Sequence, residues 1–404
     1  MEPSSEHIGA RVRYWRRRRK LSRQRFADMV GRSTSWLDKI ESGERELVRL
    51  PMIERVAEAL GIDPAVLTDE SHAQRARQCV DACEVQSIRR ALAAYPGLQT
   101  QAPEDVDLEA VTSQASYLDH AWMTSRFTVV ARHLPMLMAE AQTAVQTASA
   151  RDQVAAYRIL VTVYRLASSM LLKFEANDVA WLAADRAMHT AMGIEDTWSL
   201  ARATRSVARA MTSIDEQAQA ITTLLAMADR MHDEVNANAA ELLSLQGMLY
   251  LAASMTAAGQ DDAELARDMH EAARAAALRY EPHYNDHHTF FGLTNTQIHR
   301  VSALVRLREC GQALDFAESI DPQAVAALSA ERQSNYLLDL TEAHTGVGNY
   351  RQAVRMLGRA EQIAPEEVRC RPLAHGLLRS LLSNTTGESA RLAAQMANRA
   401  GVEA

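Results

Sequence analysis

Residues 21–43 read LSRQRFADMVGRSTSWLDKIESG, and their pattern decides the fold of the N-terminal end. Ser22 is a good helix N-cap, and Phe26, Ala27 and Val30 fall on one face of a short helix over 23–30. Gly31 ends it. Ser33 opens a second short helix, 34–41, with Leu37 and Ile40 inward, and Gly43 suits a left-handed C-terminal turn. Upstream, 7–19 forms a helix with Ile8, Val12 and Trp15 on one side and arginines on the other. Downstream, Pro51 starts a helix over 51–60 that turns Ile53, Val56, Ala57 and Leu60 inward, and 64–67 adds a last turn. Five short helices in about 60 residues, with a glycine turn between the second and third, make a helix-turn-helix arrangement.

Charge supports a partner for this end. Residues 8–55 hold 14 Lys+Arg against 6 Asp+Glu, whereas 71–404 hold 30 against 39. A basic module on an acidic body is the asymmetry expected when one end meets a polyanion. The densest run is Arg11, Arg13, Arg16, Arg17, Arg18, Arg19 and Lys20, expected to supply non-specific, salt-sensitive affinity for phosphates.

The segments Leu21-Ser22-Arg23-Gln24, Phe26-Ala27, Gly31, Ser33 through Leu37, Lys39 through Gly43 and Ile53 through Ile62 together resemble the phage-repressor-like, or xenobiotic-response-element-like, DNA-binding domain. The resemblance covers 7–70. It implies that 34–41 is the recognition helix, whose first residues reach base edges in the major groove. Thr34 and Ser35 are then the first base-reading candidates, followed by Asp38 and Lys39. Arg23, Arg25 and Arg32 fit phosphates, with Arg32 also suited to a guanine edge, and Gln24 belongs to the same surface. Arg23 stands where the family often has Gln, so it keeps a donor and lacks the acceptor. Trp36 occupies a position often aromatic in the family, read either as half-buried packing or as an indole donor to phosphate; Glu41 is expected to close the turn. One such domain buries little surface, so a homodimer on a palindromic operator is expected, with half-sites about 34 Å apart.

The rest of the chain is rich in Ala, Leu, Arg, Met, Glu and Gln, with aromatics at 5%, which favours helix over sheet. Residues 71–95 read as one connecting helix, with Cys79 and Cys83 a turn apart as plain buried thiols. The polar segment 96–104 reads as a linker, and 105–404 as helix after helix. The domains are therefore 1–70, 71–104 and 105–404. Leu337, Ala343, Gly348-Asn349-Tyr350, Ala353, Leu357, Ala360 and Ala364-Pro365 closely resemble a tetratricopeptide repeat, with looser copies near 177, 260 and 312. The expected fold is all-α: a small five-helix helix-turn-helix domain followed by a tetratricopeptide-like α-solenoid, right-handed and with a concave inner face. The tail also looks like that of actinobacterial regulators joining these two modules. Its architecture is similar to the peptide-receptor regulators of Gram-positive bacteria, which implies a signal-sensing, quorum-sensing kind of role.

Within the tail, 280–292 concentrates aromatic and polar residues, and Asn295, His299 and Ser302 share one helix face beyond it. A ligand site is expected there from His283, Tyr284, His287, His288, Phe291, Asn295 and His299. His287 and His288 cannot face one way on a helix and no Cys lies near, so no metal is expected. No phosphate-binding glycine loop, nucleophile elbow or zincin motif occurs, so neither an enzyme nor a cofactor is expected. No apolar run approaches the ~20 residues of a membrane helix and no secretory signal opens the chain, so the reading is cytoplasmic and nucleoid-associated. Two functions remain: a dimeric, sequence-specific regulator whose repeat domain senses a peptide or small molecule, and a constitutive DNA-binding adaptor whose repeats recruit a protein. An enclosed pocket favours the first, a broad open groove the second.

Overall fold

The computed structural model describes residues 7–70, 72, 73, 76, 79–95, 106–194, 196–236, 240–280 and 290–403. The chain divides into two compact units, one ending at Cys83 and the other starting at Glu84. All regular structure among the described residues is helical.

In the first unit the helices are Ile8–Arg18, Arg23–Val30, Thr34–Ser42, Leu50–Leu60 and Pro64–Thr68. The inward residues of the sequence pattern build one core around Val12, Trp15, Phe26, Leu37, Ile40, Val56 and Leu60. Ser22 Oγ accepts from the Arg25 amide and Ser33 Oγ from the Trp36 amide, satisfying donors that have no partner within the helix. Gly31 and Gly43 end these helices at φ of 67° and 80°, a conformation that costs other residues energy. At the crossing of Ile8–Arg18 with Thr34–Ser42, a Cβ on Gly9 would sit 1.7 Å from the Ile40 carbonyl oxygen. Only glycine permits that approach.

The arginine run is mostly internal, contrary to the expectation that it serves phosphates. Arg11 Nη1 donates to the Leu67 carbonyl at 2.8 Å. Arg18 donates to the carbonyls of Ala76 and Cys79, and Arg19 to the Leu60 carbonyl and the Asp81 carboxylate. Arg16 and Glu41 form a buried two-pronged ion pair, Nε to Oε1 at 2.5 Å and Nη2 to Oε2 at 2.8 Å. Glu41 therefore ties two helices together rather than closing a turn; Gly43 does that. Arg13, Arg17 and Lys20 remain exposed.

The bonds of Arg18 and Arg19 hold the chain through Asp81 to the first unit, which carries the boundary past residue 70. The connecting segment is broken at Cys79–Asp81 and helical again over Ala82–Leu92, so Cys79 and Cys83 are not on one helical turn. Ile88 and Leu92 are buried, and Glu84 pairs with Arg132 at 3.1 Å, so this helix belongs to the second unit. Residues 96–104, the expected linker, lie outside the described residues.

The second unit is an array of antiparallel helix pairs. An inner row runs Leu108–Met123, Gln153–Lys173, Thr197–Thr212, Ala240–Ala258, Leu293–Arg306 and Ala330–Gly346, each packed on the next. The outer partners are Phe127–Thr147, Asn177–Met192, Gln217–Arg230, Ala263–Arg279, Cys310–Ala317 and Tyr350–Ile363. One turn recurs at all six junctions: a left-handed residue two positions before the outer helix, namely Ser125, Glu175, Asp215, Asp261, Arg308 and Gly348. Small residues let the pairs close, as with buried Ala180, Ala183, Ala184, Ala187 and Ala191. Pro135 lies inside the Phe127–Thr147 helix. Ser329 caps a separate helix, so the segment 322–346 is two helices, Pro322–Ala326 and Ala330–Gly346. The 21-residue helix Gln153–Lys173 has the length and composition of a membrane span, with a mean hydropathy of 1.2, but it is the second helix of the inner row and two thirds buried.

The array ends meet. Ser125 Oγ donates to Glu367 at 3.1 Å, and the Thr128 amide and hydroxyl donate to Glu366 at 2.8 and 2.9 Å. Lys173 donates to Glu331 at 3.0 Å and also to Glu367.

Candidate nucleic-acid interface and effector cavity

The helix Thr34–Ser42 buries Leu37, Ile40 and Glu41 and turns its other residues outward. At its start Ser35 is exposed and Thr34 half-buried, and neither hydroxyl has a partner among the described residues. Free donors and acceptors at a recognition-helix N-terminus are what base edges require. Asp38 and Arg23 face each other, with Arg23 Nε 3.0 Å from Asp38 Oδ1 and both about half exposed. The ion pair places these two candidates side by side and satisfies each in the absence of nucleic acid. Gln24 donates to Asp28 across one turn, and Lys39 lies 3.6 Å from Glu44. Trp36 is half-buried against the core, its ring 5.9 Å from the Arg32 guanidinium carbon. A surface depression beside it is lined by Asp28, Gly31, Arg32, Ser33, Trp36 and Arg45. Arg45 thus joins Arg32 on the flank. Sequence reading missed it, although a cation just past the C-terminal glycine of a reading helix is a usable signal. The surface as a whole presents hydroxyls at the helix start and separate cations around them.

In the second unit the inner helices line a half-open cavity of about 560 Å³. Its floor is an ionic knot. Lys173 sits between Glu331 and Glu367, with its ammonium 4.7 Å from the Trp122 ring, and Arg371 donates to Glu367 at 2.7 Å and to Asn335 at 2.8 Å. Burial alone would lift the Glu331 carboxyl, but Lys173 and Arg332 outweigh it and hold it well below the usual range. Asp339 accepts from Ser302, and burial pushes its carboxyl up to about 6.

Of the seven ligand-site residues read from sequence, the three that are described do not share one site. His283, Tyr284, His287 and His288 lie outside the described residues. Phe291 is buried against Tyr280, ring centroids 5.9 Å apart, and against Gly247, where a Cβ would meet its ring at 2.0 Å. Asn295 is fully buried and donates to Met248 Sδ at 3.6 Å. Both serve helix packing. His299 does line the cavity, with Nδ1 2.8 Å from the Asn295 carbonyl oxygen; burial first, then the nearby Arg332 and Arg205 charges, lower its pKa to about 3. It is neutral at ordinary pH. Sequence reading missed the lining arginines, above all Arg202, Arg205 and Arg209 at helical spacing on Thr197–Thr212. The available signal was a helix with a basic stripe and no acidic residue to match it.

A family model described as a helix-turn-helix domain matches residues 7–70. No curated protein matches the chain. Among solved structures, Bacillus thuringiensis PlcR in complex with the peptide PapR7 and DNA is 13% identical, with 67% of this chain and 94% of that chain covered and a TM-score of 0.30. At that score the likeness carries no argument. The N-terminal unit is a helix-turn-helix domain of the xenobiotic-response-element type, a DNA-binding fold.

Proposed function

We propose that the chain is a sequence-specific transcription regulator that binds a palindromic operator as a homodimer, with a helical-repeat unit that takes up a peptide or small-molecule effector and thereby alters operator binding. The observation that carries the reading is the helix Thr34–Ser42, whose first-turn hydroxyls are free and whose flanks carry Arg32 and Arg45. The cavity of about 560 Å³ supports an effector, because its volume lies within the range of small-ligand sites and its walls are inner-row helices. An effector changes DNA affinity only by binding the DNA-competent arrangement more or less tightly than the other.

Selection of bound sequences from random duplex DNA tests the reading. The wild type is expected to enrich a palindrome, and a Thr34→Ala/Ser35→Ala variant to blur it at positions within each half-site. Binding without an enriched motif, fading uniformly as salt rises, would overturn sequence-specific regulation.

A further inference from the structure

Arginines converge on the cavity from four inner helices. Arg202, Arg205 and Arg209 come from Thr197–Thr212, Arg165 from Gln153–Lys173, Arg306 from Leu293–Arg306 and Arg332 from Ala330–Gly346. The lining as a whole has seven arginines and one lysine against three carboxylates, Asp119, Glu331 and Asp339.

Their partners show which charges are already met. Lys173 and Arg371 are neutralised by Glu331 and the fully buried Glu367. Arg332 lies 3.7 Å from Glu331. Among the described residues the others make no ion pair. Arg165 Nε donates to the Arg202 carbonyl at 3.2 Å, and Arg209 reaches the Ser169 hydroxyl at 3.4 Å. Arg202 stacks on the Trp198 ring at 4.2 Å. Arg205 Nε is shut off from solvent with no hydrogen-bond partner. Asp119 and Asp339 face the same space and offset part of the excess, Asp119 acting on Arg165 and Arg202.

Guanidinium groups gathered in a low-dielectric space repel one another and lose hydration, a cost a folded protein keeps when a ligand of opposite charge relieves it. Burial, reinforced by neighbouring arginines, lowers the pKa of Arg202 and Arg205 well below the ordinary value and that of Arg209 to about 10. Planar guanidiniums with several donors match carboxylate and phosphate oxygens. The apolar side chains between them, among them Leu251, Met255 and Leu338, would cover a hydrocarbon or ring portion of a small molecule. An inward-facing space of this size excludes a nucleic-acid backbone.

We propose that this cavity is a receptor site for a compact polyanion, a small molecule with at least two carboxylate or phosphate groups, held chiefly by Arg202, Arg205 and Arg209. The inference names the effector class of the regulator proposed above and rests on that reading for its biological sense, while the binding itself is tested separately.

The test follows thermal unfolding of the second unit in the full chain with pyrophosphate, citrate, or sodium chloride at matched ionic strength. At about 10 mM, pyrophosphate or citrate is expected to raise the midpoint by about 3 °C or more beyond the chloride control. A response to pyrophosphate alone assigns phosphate chemistry, and to citrate alone polycarboxylate chemistry. Arg205→Gln is expected to leave the ligand-free midpoint unchanged or higher, because repulsion is relieved, and to weaken anion binding by about tenfold or more. Arg209→Gln reads the same way if Arg205→Gln does not fold. No response beyond chloride overturns the proposal, as does a variant that lowers the ligand-free midpoint yet keeps the full anion response. Stabilisation by anions with no change in operator affinity upholds the site and overturns the effector-responsive regulator instead.

Discussion

Substituting Glu41 by alanine is expected to loosen the DNA-reading unit far more than the loss of one surface charge would. Both members of its pair are shielded, with side-chain exposures of 7% for Arg16 and 3% for Glu41. Once Glu41 is gone, the Arg16 guanidinium keeps a single acceptor in the protein, the Leu21 carbonyl at 2.9 Å. Removing one partner of a buried pair costs about 3–5 kcal/mol, mostly because the other charge stays buried and unmatched. The effect falls on the contact between Ile8–Arg18 and Thr34–Ser42, so it is best read there. At about 1.4 kcal/mol per tenfold, amide hydrogen-exchange protection at Leu37 and Ile40 in the full chain should drop roughly a hundredfold to a few thousandfold. An Arg16→Met/Glu41→Leu double variant, which removes both charges and keeps apolar volume, should recover most of that protection. A drop of less than about threefold in Glu41→Ala, or a double variant as labile as the single one, would refute the assignment of the pair as the tie between these helices.

Other perturbations test other parts of the structure. Gly9→Ala should separate the same two helices sterically, costing several kcal/mol and abolishing operator binding, whereas Gly31→Ala, where a Cβ meets nothing, should cost only about 1 kcal/mol of left-handed strain; urea unfolding and gel-shift titration compare them. Lys173→Met leaves Glu331 and Glu367 buried without their common cation, and should destabilise the second unit by about 3–5 kcal/mol in urea unfolding. His299 has a folded-state pKa of about 3, below its unfolded value, so it stays neutral while the unfolded chain protonates: its contribution to stability is present above about pH 6.5 and is lost as pH falls toward 3. Asp339, raised to about 6, acts in the opposite sense between its unfolded and folded values, so the measurement is the difference in midpoint between wild type and His299→Gln, which should shift in favour of the variant on acidification.

The first unit was legible because its local signals agree. Ser22, Gly31, Ser33 and Gly43 mark the same boundaries as the apolar spacing of Phe26, Val30, Leu37 and Ile40, and the structure has helices between them. Its arginine run was misread because charge says nothing about direction: Arg16 and Arg17 are neighbours in sequence, one buried on Glu41 and the other in solvent. In the second unit the helices and four of the six junctions, near 177, 260, 312 and 349, were readable, while those before Phe127 and Gln217 were not. Five of the six recurring junction turns place Ser, Glu, Asp or Arg at the left-handed position, where Gly348 alone carries the expected glycine. The ligand site was sought where aromatic and polar residues cluster in sequence. The cavity is instead assembled from arginines separated by long stretches of chain, which only the stacking of inner helices brings together.

The meeting of the two ends of the helix array changes how it stores its stability. A linear repeat protein, coupled only between neighbours, can fray from either terminus and lose its repeats one at a time. Here the hydrogen bond from Ser125 to Glu367 spans 242 residues of sequence, and Lys173 ties the second inner helix to Glu331 and Glu367 near the last. Such a contact closes a very long loop, which slows the search for the folded state. Once made, it ties the first pair to the sixth, with the helices Pro372–Asn384 and Gly387–Ala400 lying beyond it. Strain introduced at any one pair is then shared around a closed circuit, and the unit is set to respond as a single mechanical body.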